Sequence, residues 1–192
     1  MGRIALGALA LAVAAIGHAA AASPCPPQPM PPAMESLPPL TASSSISFAA
    51  TPWEYPGRAW VVRASLVGQG GATLEIVRLR RQSDCNRYDV EKRWQAPLPA
   101  AEYRALAEAV APLGTPPAGI FSPGGGIGGD ELVLDGTGIA LRLRTFGWQA
   151  TRELNHYGSG GGAVSALFRA LVAKHVPAAE LPAEDWRTRR RE

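Results

Sequence analysis

The residues able to move protons, attack a carbonyl or hold a metal are few. The 192-residue chain has three histidines, and His18 falls in an N-terminal apolar run, which leaves His156 and His175. Imidazole is the side chain that changes charge near neutral pH, so acid–base chemistry would centre on one of these two. His175 sits on an apolar helical stripe near a helix C-terminus, where packing or the helix dipole accounts for it. His156 ends a strand and precedes the run Gly158-Ser159-Gly160-Gly161-Gly162, a loop setting in which functional side chains are common. It is the candidate base of a small periplasmic hydrolase, with Ser159 or Asp130 as its partner. Against that reading, a general base needs its partner held at about 3 Å, and a Gly-rich loop fixes a side chain poorly without support around it. Ser159 also lacks the Gly-x-Ser-x-Gly frame of a nucleophile elbow, because position 157 is Tyr.

Other ligand sets fall short for stated reasons. Asp130, Glu131 and Asp135 offer carboxylates, but calcium requires six or more oxygens from a defined loop, and no EF-hand spacing is present. The Gly-rich run before a helix offers amides to an anion, without the Lys-Ser/Thr of a P-loop or the strand–helix–strand setting of a dinucleotide site. Cys25 and Cys85 could complete a structural zinc site only with both remaining histidines. The expectation is therefore no catalytic set, no metal and no cofactor.

Those residues must be placed in a compartment and on elements. Residues 1–22 read as a secretory signal: Arg3, a 13-residue apolar stretch Ile4 to Ile16, then Ala19-Ala20-Ala21-Ala22 with Ala-x-Ala cleavage after Ala21 or Ala22. A membrane span needs about 20 apolar residues, and Ser23-Pro24 before Cys25 is a poor frame for lipid attachment. Export to the periplasm or beyond favours a Cys25–Cys85 disulfide, which closes a loop of about 60 residues worth about 4 kcal/mol on the chain-entropy model.

Charge narrows the partners. The formal net charge of +3 comes from 19 Lys+Arg against 16 Asp+Glu, yet Arg3 and four arginines in the last six residues supply the excess. The body of the chain is close to −1, so a nucleic-acid groove is not expected. The basic tail could make weak, salt-sensitive contact with anionic lipid. Nothing in the residues sets an oligomeric state.

The domain plan follows from punctuation and periodicity. Residues 23–57 hold ten prolines and read as a linker or arm. Residues 58–176 form one domain and 177–192 a basic tail. Within the domain, Trp60, Val62, Ala64 and Leu66 alternate with their neighbours, and strands follow over 73–80 and 87–94. Pro97 and Pro99 open a helix carrying Tyr103, Leu106 and Val110. Leu132 and Leu134 mark a short strand, Asp135-Gly136 a hairpin turn, and Ile139, Leu141 and Leu143 the return strand. Gly147 reads as a further turn before 148–156, which puts Asp130 and His156 at opposite ends of the sheet. A second helix bears Val164, Leu167, Phe168, Leu171 and Val172. The plan is an α+β fold, an antiparallel sheet with two helices on one face, compatible with two βββα units.

The ending, with Asn155-His156-Tyr157-Gly158 before a helix carrying Leu167-Phe168-Arg169-Ala170-Leu171, resembles small exported bacterial α+β domains of unknown function. The resemblance spans about 120 residues of generic turn-and-helix pattern, implies the same fold and transfers no catalytic residue. The leading expectation is an exported, non-enzymatic module that binds another macromolecule, a protein, through exposed Trp and Arg residues.

Overall fold

The computed structural model of the chain describes residues 32–53, 57–68, 71–82, 86–114, 136–145, 148–156 and 160–188. Four strands lead: β1 (Ser44–Pro52), β2 (Arg58–Val67), β3 (Gly71–Gln82) and β4 (Arg87–Pro99). Helix α1 (Ala100–Gly114), β5 (Thr137–Thr145), β6 (Trp148–Asn155) and α2 (Gly161–His175) follow. The strands form one six-stranded sheet in the order β4-β3-β2-β1-β5-β6, with every neighbouring pair antiparallel. The α+β class is as the sequence implies. One sheet spans the described residues, with β5 docked on β1; the strand expected at 132–134, which would open a second βββα unit, lies outside the described residues. Asp130, Ser159, Cys25 and Cys85 also lie outside them.

Residues 44–52 depart from the expected arm. They form β1, a central strand paired to β2 on one side and β5 on the other. The physical reason is local: no proline occurs from 40 to 51, so the segment can complete ladders on both edges. Ile46, Phe48 and Ala50 alternate onto one face as a half-buried strand requires. Pro52 closes the strand at its last position, where a missing N–H is tolerated. Pro97 and Pro99 likewise sit in β4 instead of opening α1, because β4 is an edge strand with one ladder to satisfy. Thr145 and Trp148 are paired partners of antiparallel strands, so the chain reverses between them; Gly147 itself lies outside the described residues.

Both helices pack on one face. Ile46, Phe48, Trp60, Val62, Leu74 and Ile76 of the sheet meet Tyr103, Leu106 and Val110 of α1 and Val164, Phe168 and Val172 of α2 in one buried cluster. Phe48 and Phe168 stack with centroids 4.4 Å apart. Tyr103 Oη is 2.9 Å from Ser44 Oγ, tying α1 to the start of β1.

The C-terminal segment, expected as a basic tail, is docked on this core through Trp186, while Pro177, Ala178, Ala179 and Thr188 are exposed. Trp186 is 0% exposed and lies 4.9 Å from Phe48 and 6.3 Å from Trp60 between ring centroids. Thr137 Oγ1 donates to the Asp185 carbonyl, and Arg169 Nε donates to the Ala183 carbonyl at 3.0 Å. Trp186 has φ +67°, a region that costs a non-glycine residue about 1–3 kcal/mol. Burying roughly 150–250 Å² of indole contributes about 4–6 kcal/mol. Burial wins.

The opposite face is covered by residues 32–40. A 3-10 turn (Ala33–Ser36) places Ala33, Met34 and Leu37 against Ala49, Ala59, Val61, Val77 and Leu79 in a second, smaller core. The sheet is thus sandwiched, with helices on one side and a short strap on the other. Among the described residues no helix is long and apolar enough to cross a membrane.

Candidate functional site

His156 directly follows β6, and its backbone N–H donates to the Thr137 carbonyl at 2.9 Å. Its Nδ1 is 2.8 Å from Ser165 Oγ on α2. Ser165 is completely buried, and the Trp186 indole N–H donates to the same hydroxyl. The approach of β6 to α2 is close: a Cβ on Gly162 would lie 3.3 Å from the His156 carbonyl oxygen, so glycine is the residue that fits. Gly160, at φ +83°, turns the chain into the helix. The result is a hydrogen-bonded staple joining β6, α2 and the C-terminal segment. A serine nucleophile has to reach solvent and substrate; Ser165 is sealed beneath Trp186. A partner of His156 is therefore a buried serine on the inner stripe of α2, a residue that its place on an apolar helical face conceals in the sequence.

A charged cluster at the β4 end of the helix face also reads as structural. Burial disfavours ionisation of Glu91, but Arg58 and Arg78 outweigh it and hold the carboxyl below its ordinary range. Arg58 Nε and Arg78 Nε donate to Glu91 Oε2 at 2.8 and 2.9 Å. Glu180 is held low chiefly by its hydrogen bond to Lys92. The Arg78 guanidinium lies 5.7 Å from the Trp60 ring centre and 5.8 Å from that of Trp94. These contacts fasten the Ala178–Glu180 turn to the sheet.

The strap face offers a different arrangement. Its apolar half is capped by Met34 and Leu37, and its polar half lies open as a groove of about 240 Å³ between the strap and strands β1, β2, β5 and β6, with Ser45, Ser47, Arg63, Arg142, Arg144 and Gln149 among its lining residues. Register creates it. Ser47 pairs with Arg63 on β2 and with Arg142 on β5, while Ser45 pairs with Arg144. Direct cross-strand partners have Cβ atoms about 4.5–5.5 Å apart, so Ser47 stands between two guanidinium groups.

Those arginines are unequally committed. Arg63 is buried at 7% exposure, donates through Nε to Glu75 at 2.7 Å and through Nη1 to the Pro38 carbonyl at 2.6 Å. It anchors the strap. Arg144 Nη1 donates to the Leu40 carbonyl at 2.9 Å. Arg142 meets Thr151 Oγ1 at 3.3 Å and Glu35 Oε1 at 3.4 Å, weak contacts on an exposed rim. Ser45 and Ser47 are each 5% exposed, and neither hydroxyl has a hydrogen-bond partner among the described residues.

Of the tryptophans expected at an exposed surface, Trp60 and Trp186 are core, Trp94 is half-buried and Trp53 is exposed. Among the described residues, no group of three His, Cys, Asp or Glu side chains is placed to hold a metal ion. A second depression, about 220 Å³ between α1 and α2, is apolar and lined by Leu98, Leu106, Leu167 and Leu171 with Glu102 and Lys174 at its rim; it carries no reactive group. Comparison with protein-family models, curated proteins and solved structures finds no match to this chain.

Proposed function

We propose that this protein is an exported, non-enzymatic binding module whose binding surface is the polar half of the strap face. The observation that carries the reading is the groove itself: two nearly buried serines and three arginines, brought together by the register of β1, β2 and β5 beneath an anchored strap. Buried polar groups in folded proteins find hydrogen-bond partners, and a concave site with a few convergent polar groups is the usual form of a binding site. The partner is a macromolecule, a protein. The hydrolase alternative, His156 with Ser159 or Asp130, draws no support from His156 Nδ1, which meets the buried Ser165; Ser159 and Asp130 lie outside the described residues.

Two measurements test this. Expressed with its leader in a Gram-negative host, the chain is expected in the periplasm with its mass reduced by residues 1–21 or 1–22; full-length chain in the inner membrane would contradict export. Alkylation of that material without reductant reads the Cys25–Cys85 pair in the same experiment. For binding, capture of partner from periplasmic extract should be abolished by Ser47→Trp, which fills the groove, and unchanged by His156→Ala. Capture that survives the first substitution removes the groove from the reading.

A further inference from the structure

We infer that the groove recognises an acidic peptide segment in extended conformation, with two carboxylate side chains at alternate positions. The inference rests on the binding reading above and names its ligand.

The groove repeats one unit twice. Ser45 faces Arg144 and Ser47 faces Arg142 across the same pair of strands. The two units are two residues apart on β1 and on β5, a separation of roughly 7 Å in an antiparallel strand. An extended peptide sets its residues i and i+2 on one side with that same spacing, so two carboxylates at alternate positions match two Ser–Arg units without either chain bending.

Donor chemistry points the same way. Arg144 uses Nη1, and Arg142 uses Nε and Nη2, which leaves Nε–H and Nη2–H groups on the first and Nη1–H groups on the second with no partner among the described residues. A guanidinium edge and a hydroxyl placed side by side can each donate to one carboxylate, and bonds to ionised oxygens are the strong kind. Charge agrees: Arg63, Arg93, Arg142 and Arg144 on this face stand against Glu75, which Arg63 and Arg93 share, and Glu35 on the rim. Glu153 is also on this face of β6, opposite Ala140, exposed and outside the lining of the groove. Size sets the limit, since about 240 Å³ is below the roughly 300–1,000 Å³ usual for a whole small-molecule ligand and suits a pair of side chains.

Glu35 then acts as an internal competitor. Its carboxylate reaches Arg142 from the strap, half exposed and replaceable by a ligand carboxylate.

The test is isothermal titration of the full secreted chain with two blocked hexapeptides of equal charge, Glu-Ser-Glu-Ser-Glu-Ser and Ser-Glu-Glu-Ser-Ser-Glu, the second having no two Glu at positions i and i+2. The alternating peptide should bind at least about tenfold more tightly, the effect of one charge-assisted contact. Arg142→Gln and Arg144→Gln should each weaken it by a similar factor, and Glu35→Gln should strengthen it. Equal affinity for the two peptides, or affinity indifferent to Arg142→Gln, overturns the inference, as does binding of succinate as tight as that of the alternating peptide, which would make the groove a small-dianion site. Ser47→Trp separates the two claims: if it abolishes partner capture while neither peptide binds the unsubstituted chain, the acidic-peptide inference falls and the groove stands. If capture also survives it, both fall.

Discussion

The two faces of the sheet are built from the same alternating strands and finished in opposite ways. On the helix face, Ile46, Phe48 and Ala50 of β1, Trp60, Val62 and Ala64 of β2 and Ala72, Leu74 and Ile76 of β3 form an apolar core that two helices and a buried indole cover. On the other face the alternation changes partway along: Ala49, Val61 and Val77 give way to Ser47, Arg63 and Glu75 two residues further along each ladder. A strap of nine residues, 32–40, reaches across the apolar half and is held at its far end by arginine donors to the Pro38 and Leu40 carbonyls. Aromatic burial makes the first face a foundation. The second leaves open a polar groove lined by two serines and three arginines, the feature on which the binding proposal rests.

That contrast orders the expected effects of substitution. The largest should follow Trp186→Ala, which opens the helix-face core and removes the donor to Ser165; truncation of a buried aromatic costs about 3–5 kcal/mol, read as a lowered urea midpoint with the slope unchanged. Next is Glu75→Ala. Removing one partner of a buried ion pair costs about 3–5 kcal/mol, here reduced toward the lower end because the strap can admit water to Arg63. Replacing both partners, Arg63→Met with Glu75→Leu, should recover most of that stability in the same measurement and show that the pair positions the strap.

The paired substitution Arg142→Gln with Arg144→Gln comes third. Both side chains are near the surface, so stability should move by no more than about 0.5 kcal/mol while partner capture is lost. Equal losses of stability and capture would make the groove residues structural.

The smallest effect is in pH dependence and belongs to the helix face. Glu91 and Glu180 have lowered carboxyl pKa values in the folded protein. A carboxyl depressed on folding adds stability above its unfolded pKa, about 4.3 for Glu, and that stability is lost as pH falls through the folded value. Urea midpoints should therefore decline below about pH 4.5, and Glu91→Gln should flatten the decline. Peptide affinity at the groove should hold down to the pH at which the peptide's own carboxylates protonate.

Strands β2, β3, β5 and β6 and both helices were legible in the sequence because their apolar residues keep one period over eight or more positions. β1 was not, since averaging proline over 23–57 concealed the Ser-Ile-Ser-Phe alternation inside it. Nor was the role of Trp186, which sits among arginines and reads as tail until Phe48 and Phe168 are seen around it. The histidine site was half legible: His156 was identified from its place at a strand end, whereas Ser165 was hidden on a helical stripe. The groove had no signature at all. Ser45 and Ser47 meet Arg144 and Arg142 only through the pairing of β1 with β5, and one sequence holds no record of register between strands separated by a helix and three other strands.

The central claim, that the polar half of the strap face is where this protein binds, is tested most directly by mapping. Amide chemical-shift changes in the full secreted chain, titrated with the alternating Glu/Ser peptide, should concentrate at Ser45, Ser47, Arg142, Arg144 and Gln149, with Glu35, Ser36, Leu37 and Leu40 of the strap moving in step. Shifts confined to α1, α2 and the apolar depression between them would place binding on the helix face and contradict the account.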